Sequence, residues 1–147
     1  MGQRDEDAGS RLHSAGFVMI VAVSFRDEGV QMHIAYLVIT LVFAAMVFFS
    51  GLGKIRRDAH QVRVIHEVVG VPLTYFPLLA ACEFAGTLGL VLGVWWPPLG
   101  LAAGAGLVLY FVGAVVSHLR VGDVKGIGAA AFMLVLAAAA LTVRILR

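Results

Sequence analysis

The sequence predicts an all-α integral membrane protein: a four-helix bundle, running up-down-up-down, with a short interfacial amphipathic helix between spans 1 and 2. Three observations predict it. Hydrophobic residues make up 61% of the 147 and charged residues only 14%, where a soluble domain uses about 25% charged residues to clothe its surface. Glycine is frequent at 17 residues, as suits membrane helices whose backbones approach closely. The apolar residues are gathered into four long runs separated by polar or proline-bearing connections.

Residues Met1 to Gln31 read differently from the rest. Met1 to Ser14 is polar and mixed in charge, and Phe17 to Phe25 is apolar but about half the length that a span needs. Asp5, Glu6 and Asp7 stand where a signal peptide carries basic residues, and no small-residue cleavage site follows. Asp27-Glu28-Gly29 can encode a GAGG-type ribosome-binding sequence ending roughly seven nucleotides before the Met32 codon, a segment to set aside before fold reasoning. The expectation is an N-terminal extension over 1–31, poorly ordered or a mis-assigned start, and a four-span membrane domain over 32–147.

The first run is His33 to Phe49, short for a span unless it continues through Gly53. The others are Leu73 to Gly93, Leu99 to Leu119 and Gly126 to Leu146. Each of these is about 21 residues, or ~31 Å at helical rise, enough to cross the hydrocarbon layer. In lipid such runs must be helical, because no water is present to bond the backbone. Between the first two, Lys54 to Val71 is amphipathic: Ala59, Val62, Ile65, Val68 and Val69 share one helical face. Trp95-Trp96-Pro97-Pro98 joins spans 2 and 3, with prolines expected to stop both helices and indoles suited to the headgroup zone. Arg120 to Lys125 joins spans 3 and 4.

Lys and Arg counts set an orientation. Lys54, Arg56, Arg57, Arg63, Arg120 and Lys125 fall on one side, and Arg144 and Arg147 on the other if the chain starts at Met32. The positive-inside rule then puts the connections 54–71 and 120–125 in the cytoplasm and the C-terminus outside, in a bacterial inner membrane. With the longer start, Arg4, Arg11 and Arg26 nearly erase the bias. The basic residues sit beside apolar runs, so the net charge of +2 marks membrane borders and not a nucleic-acid surface. A single cysteine, Cys82, excludes an internal disulfide, a CxxC pair and a cysteine zinc site.

Glu83 is the most informative residue. It lies ten residues from each end of the second run, where a carboxylate costs about 2.5–3.5 kcal/mol to insert. It is expected to face the bundle interior in its uncharged form, with Lys54 snorkelling away to the interface. Ala80, Gly86 and Thr87 share its face and are small enough to admit a neighbour. Folding back from Trp96-Pro97 sets Tyr110 level with Glu83. Tyr110, Gly113, Ala114 and Ser117 share one face of the third span, with His118 at its border. Glu83, Tyr110, Ser117 and His118 could therefore line one polar seam from midplane to cytoplasmic border, as a proton or ligand site or as ordinary interhelical hydrogen bonders. His33 and His118 sit at opposite membrane faces and no span supplies a second histidine level with His118, which argues against haem. His60 and His66 are six apart and do not share a face, so no metal site is assigned. Neither a Ser-His-Asp set nor a phosphate-binding glycine loop is present.

The ordered set Phe49-Ser50-Gly51-Leu52-Gly53-Lys54, Gly70-Val71-Pro72, Glu83 with Gly86 and Leu88-Gly89-Leu90, Trp95 to Gly100, and Val115 to Asp123 resembles the DoxX-like family of small bacterial membrane proteins. The resemblance runs from Met32 to about Leu146 and leaves out Met1 to Gln31. It implies a four-helix membrane bundle, with Lys54, Glu83 and His118 as the matching family positions. The family takes its name from a subunit of a thiosulfate:quinone oxidoreductase, and a name alone transfers no activity. The leading expectation is a membrane subunit or partner of an oxidoreductase, with a quinone- or small-molecule-facing seam at Glu83, Tyr110, His118, Ser117, Lys54 and Thr87. A carrier or channel for a weak acid or lipophilic molecule is the second, and a structural or assembly protein without catalytic activity the third. The expected partners are the lipid bilayer and either an oxidoreductase or further copies of the chain. No self-contained catalytic constellation is evident.

Overall fold

The computed structural model describes the backbone of residues 3–146 and the side chains of residues 29–146. The expectation for Met1 to Gln31 lies, but for its last three residues, outside the described side chains. The elements are α1 (Gln3–Arg56), α2 (Ala59–Gln61) continuing as a π-helical stretch Val62–Val68, a 3-10 turn Leu73–Tyr75, α3 (Phe76–Leu92), α4 (Pro97–Arg120) and α5 (Val124–Leu146). The chain divides into two units, Met1–Ala35 and Tyr36–Arg147, and the second contains the packed core. Among the described residues four helices are long and apolar enough to cross a membrane: Gly29–Arg56, Leu73–Leu92, Pro97–Arg120 and Val124–Leu146. The first span thus carries on past Gly53. Their outward positions hold large apolar side chains, such as Leu41, Leu78, Leu109 and Val135. That distribution suits lipid and would be ruinous in water.

The core is built from all four spans: Phe43, Ala44 and Val47 of α1, Leu90 of α3, Leu107 and Phe111 of α4, and Ala137 and Ala140 of α5. Phe43 and Phe111 pack with ring centroids 6.1 Å apart. Alanine on α5 lets that helix approach without large side chains intervening.

Glycines set the spacing of α3 and α4. A Cβ on Gly86 would come 2.6 Å from Leu107, one on Gly89 would come 2.6 Å from the Ala103 methyl, and one on Gly93 would strike the Gly100 backbone. Gly104 faces α5 instead, with Leu141 3.1 Å from where its Cβ would be. The glycine contacts between α3 and α4 fall in the halves nearest their connection. Further along α4, Gly113 has nothing within 4 Å of an added Cβ.

The connections correct two sequence readings. Pro97 and Pro98 do not lie between helices; they are the first residues of α4, with Trp96 as its N-cap. Proline lacks an N–H that the first turn does not need and has φ preset for a helix. The amphipathic stretch is a helix as expected, but part of it is wound with five-residue bonds, as from Val69 N to Val64 O at 3.2 Å. The wider winding changes the face: Val64 turns inward, half-buried beside Val62, Ile65 and Val69, while Ala59 and Val68 are exposed. Arg57 at φ 52° and Gly70 at φ 84° reverse the chain at either end of it.

Candidate functional site

Lys54 closes α1 and points inward. Its Nζ donates to both Glu83 carboxylate oxygens at 3.0 Å and to Ser50 Oγ at 2.9 Å. The sequence expectation that Lys54 snorkels to the interface is thereby corrected: Ser50 and Lys54, four apart on α1, present one face to α3, and the side chain finds a counter-charge nearer than the headgroups. Glu83 is completely buried and Lys54 is 5% exposed. Ser50 Oγ donates in turn to Glu83 Oε1 at 3.0 Å. The pair carries no net charge whichever partner holds the proton. Tyr110 turns its phenol to the same carboxyl from α4, level with Glu83 as the hairpin geometry predicts.

A second polar pair lies at the end of α4. His118 Nδ1 is 2.9 Å from Asp123 Oδ2, and the other carboxylate oxygen, Oδ1, accepts from the Gly126 N–H at 3.1 Å. Asp123 therefore caps α5 while gripping the imidazole. These contacts hold its carboxyl below the usual aspartate range; the Gly126 N–H contributes most, and His118 adds to it. Gly126 is required here, because a Cβ would collide with both Asp123 and His118.

The two pairs face one cavity of about 690 Å³ lined by residues of α1, the π-helical stretch, α3, α4 and α5. Lys54, Glu83, Tyr110, Ser117 and His118 line it together with Ser50, Asp123, Gln61, Arg63 and Lys125, and most of the remaining wall is apolar, with Val64, Ile65, Leu79, Phe111 and Met133. Such a space, apolar with a few convergent polar groups, is the common form of a small-molecule site. Of the residues singled out in the sequence, Thr87 alone lies elsewhere: its Oγ1 donates to Ala44 O at 3.4 Å and ties α3 to α1. Ser117 Oγ is turned to its own helix, donating to Gly113 O at 2.8 Å. Ser50 and Asp123 belong to the site but were not among the sequence candidates. Ser50 was legible only as the residue four before Lys54, and Asp123 as an acid just ahead of a helical run. His60 lines the cavity, while His66 Nδ1 lies 2.9 Å from Val71 O. Among the described residues no three His, Cys, Asp or Glu side chains gather where they could hold a metal.

The sequence profile of the DoxX-like family matches residues 38–140, a stretch that contains both polar pairs. Comparison with curated proteins and with solved structures found no match.

Proposed function

We propose that this chain, which belongs to the DoxX-like family, binds a small, largely apolar molecule in the cavity and serves as the membrane subunit or partner of an oxidoreductase, with a quinone-type ring as the ligand. The observation that carries this is the buried Lys54–Glu83 pair on the cavity wall. Two charges deep among apolar helices are expensive and stabilise a fold poorly, so their placement against an open space argues for use. The cavity volume of about 690 Å³ lies within the range of sites for ligands of this size. A second cavity of about 510 Å³, bordered by Pro72, Tyr75, Leu78 and Arg120, shares Val69, Val71, Leu79 and Ser117 with the first. The residues present suit a ring that carries one or two polar oxygens: Phe111 and Met133 for the body, Glu83, Tyr110 and His118 for the oxygens. A bound quinone would bring electron-transfer chemistry; this chain would bind and orient it and keep water from it.

The setting that goes with this reading is a bacterial inner membrane with the connections 54–71 and 120–125 in the cytoplasm. Native mass spectrometry from lipid tests the reading directly. The expected result is a quinone retained on the wild-type protein and lost on Glu83→Gln, with an oxidoreductase or a second copy of the chain in the same spectrum. A protein that carries no small molecule, and takes none up when quinone is added, would overturn it. The cation of Lys54 facing the cavity favours a second reading, a carrier for a weak acid. Proton-coupled uptake into vesicles would select that reading.

A further inference from the structure

The charged groups on the cavity wall do not balance. We infer that the ligand carries an anionic group, so that within the quinone class the site prefers a ring with an ionised acidic substituent (the hydroxyquinone class) to its neutral counterpart. This rests on the quinone reading of the cavity and names the kind of quinone.

The acids on the wall are Glu83 and Asp123, and both are engaged inside the protein. Glu83 is fully buried, and its oxygens accept from Lys54 Nζ and the Ser50 hydroxyl, with the Tyr110 phenol turned to the same carboxyl. Asp123 is held by His118 and the Gly126 N–H. Lys54 cancels the charge of Glu83. Two further cations line the same cavity, Arg63 of the π-helical stretch and Lys125 in the first turn of α5, and Gln61 and His60 of α2 line it with them. Among the described residues these four side chains make no hydrogen bond and no ion pair. With both histidines neutral the wall still has a net positive charge, because Asp123 is the one acid left to set against Arg63 and Lys125.

Membrane topology asks only that basic residues fall in these two connections. It does not ask that they border a cavity, and Arg56, Arg57 and Arg120 of the same connections do not line this one. Arginine and lysine have N–H bonds to give and none to accept. A neutral carbonyl would use some of these bonds and leave the charge uncompensated. An anionic oxygen would use both, and such charge-assisted bonds are about twice as strong as neutral ones. A net positive charge around a cleft with apolar walls also concentrates anions there. A ring with an acidic edge therefore matches the site on both counts, its body against Phe111 and Met133 and its charge toward Arg63 and Lys125.

The test uses two probes with one ring system: lawsone, a hydroxynaphthoquinone ionised at neutral pH, and its neutral methyl ether. Each is titrated calorimetrically at neutral pH into the full chain in nanodiscs of zwitterionic lipid, with empty nanodiscs as reference. Lawsone is expected to bind about tenfold more tightly, the low end for one charge-assisted hydrogen bond. In Arg63→Gln/Lys125→Gln its affinity should fall to that of the ether, while the ether binds as before. Added salt should shrink the preference on the wild-type chain, which reads the same charge without a variant. Gly113→Leu sets a larger side chain on the cavity wall at a position open around its Cβ, and it should weaken both probes alike. An ether that binds as tightly as lawsone, or a preference that survives the double substitution or is unmoved by salt, overturns the inference and leaves the quinone reading standing. Loss of the preference when phosphatidylglycerol is added to the nanodisc assigns the two cations to lipid headgroups and overturns it too. Binding of neither probe overturns the quinone reading, and the inference with it. Binding untouched by Gly113→Leu places the probes outside this cavity and defeats the inference as well.

Discussion

Lys54 Nζ sits 3.0 Å from the Glu83 carboxylate, with the two side chains 5% and 0% exposed, so each supplies what water would otherwise supply to the other. Lys54→Met should therefore cost about 3–5 kcal/mol by stranding a buried carboxylate, while Lys54→Met/Glu83→Leu should recover most of that loss. Unfolding in detergent micelles measures both, and equal loss in the two variants would mean that the pair is not coupled. Asp123 has a pH signature of a different kind. Its carboxyl is more acidic in the folded chain than the ordinary value of 3.8, chiefly because of the Gly126 N–H. Its stabilising contribution is then complete above that ordinary value and fades as pH falls through the lower folded value. The melting-temperature gap between wild type and Asp123→Asn should be present at about pH 5 and close as pH falls below about 4. Glu83 was legible because a lone acid in the middle of a largely apolar run has few explanations. Lys54 was a candidate through the family resemblance, but its direction was not legible, because a lysine at the end of a run can reach outward or inward with equal ease and only the position of α3 decides. The His118–Asp123 contact spans a helix end and a turn, so sequence spacing alone gives no distance.

Helix α3 is held to α4 by glycine where the two are joined, and the consequences differ along the seam. At Gly86 an added methyl meets the end of a leucine side chain, which can rotate away; at Gly93 it meets the backbone of Gly100, which cannot. Gly93→Ala should destabilise by about 1–3 kcal/mol, Gly86→Ala by less, and Gly113→Ala by nothing measurable. Thermal unfolding of the three variants in one detergent checks the order, and a Gly113→Ala as damaging as Gly93→Ala would contradict it. The spans themselves were readable, because each apolar run matches the thickness of a bilayer. Which face turns inward was not, since lipid asks for apolar residues outside as firmly as packing asks for them inside. Proline was misread between spans 2 and 3 for a related reason: at the first turn of a helix it starts what it would break in the middle. The π-helical winding of Val62–Val68 leaves no mark in the pattern of residue types, and it places Val64 among the half-buried residues.

Among the described residues the two polar pairs lie toward one end of the bundle, the end that carries Lys54, His118 and the basic connections. At the opposite end Arg144 donates to Gly93 O at 2.9 Å and lies 5.1 Å over the Tyr36 ring. The positive-inside rule predicts an orientation for this asymmetry. A reporter fused within 54–71 should read as cytoplasmic and one after Arg147 as periplasmic; the reverse pattern would place the polar end of the bundle on the other side of the membrane.

That location gives the Lys54–Glu83 pair an electrical property. A lone charge held part-way across an energised membrane feels the transmembrane voltage, worth about 2.3 kcal/mol for each elementary charge moved through 100 mV. A lysine and a glutamate in contact sum to zero, and a proton passing between them moves only the 3.0 Å that separates nitrogen from oxygen. The resting potential therefore does almost no work on this site, and an uncharged ligand would enter and leave it with the same affinity in a fully energised cell as in a de-energised one.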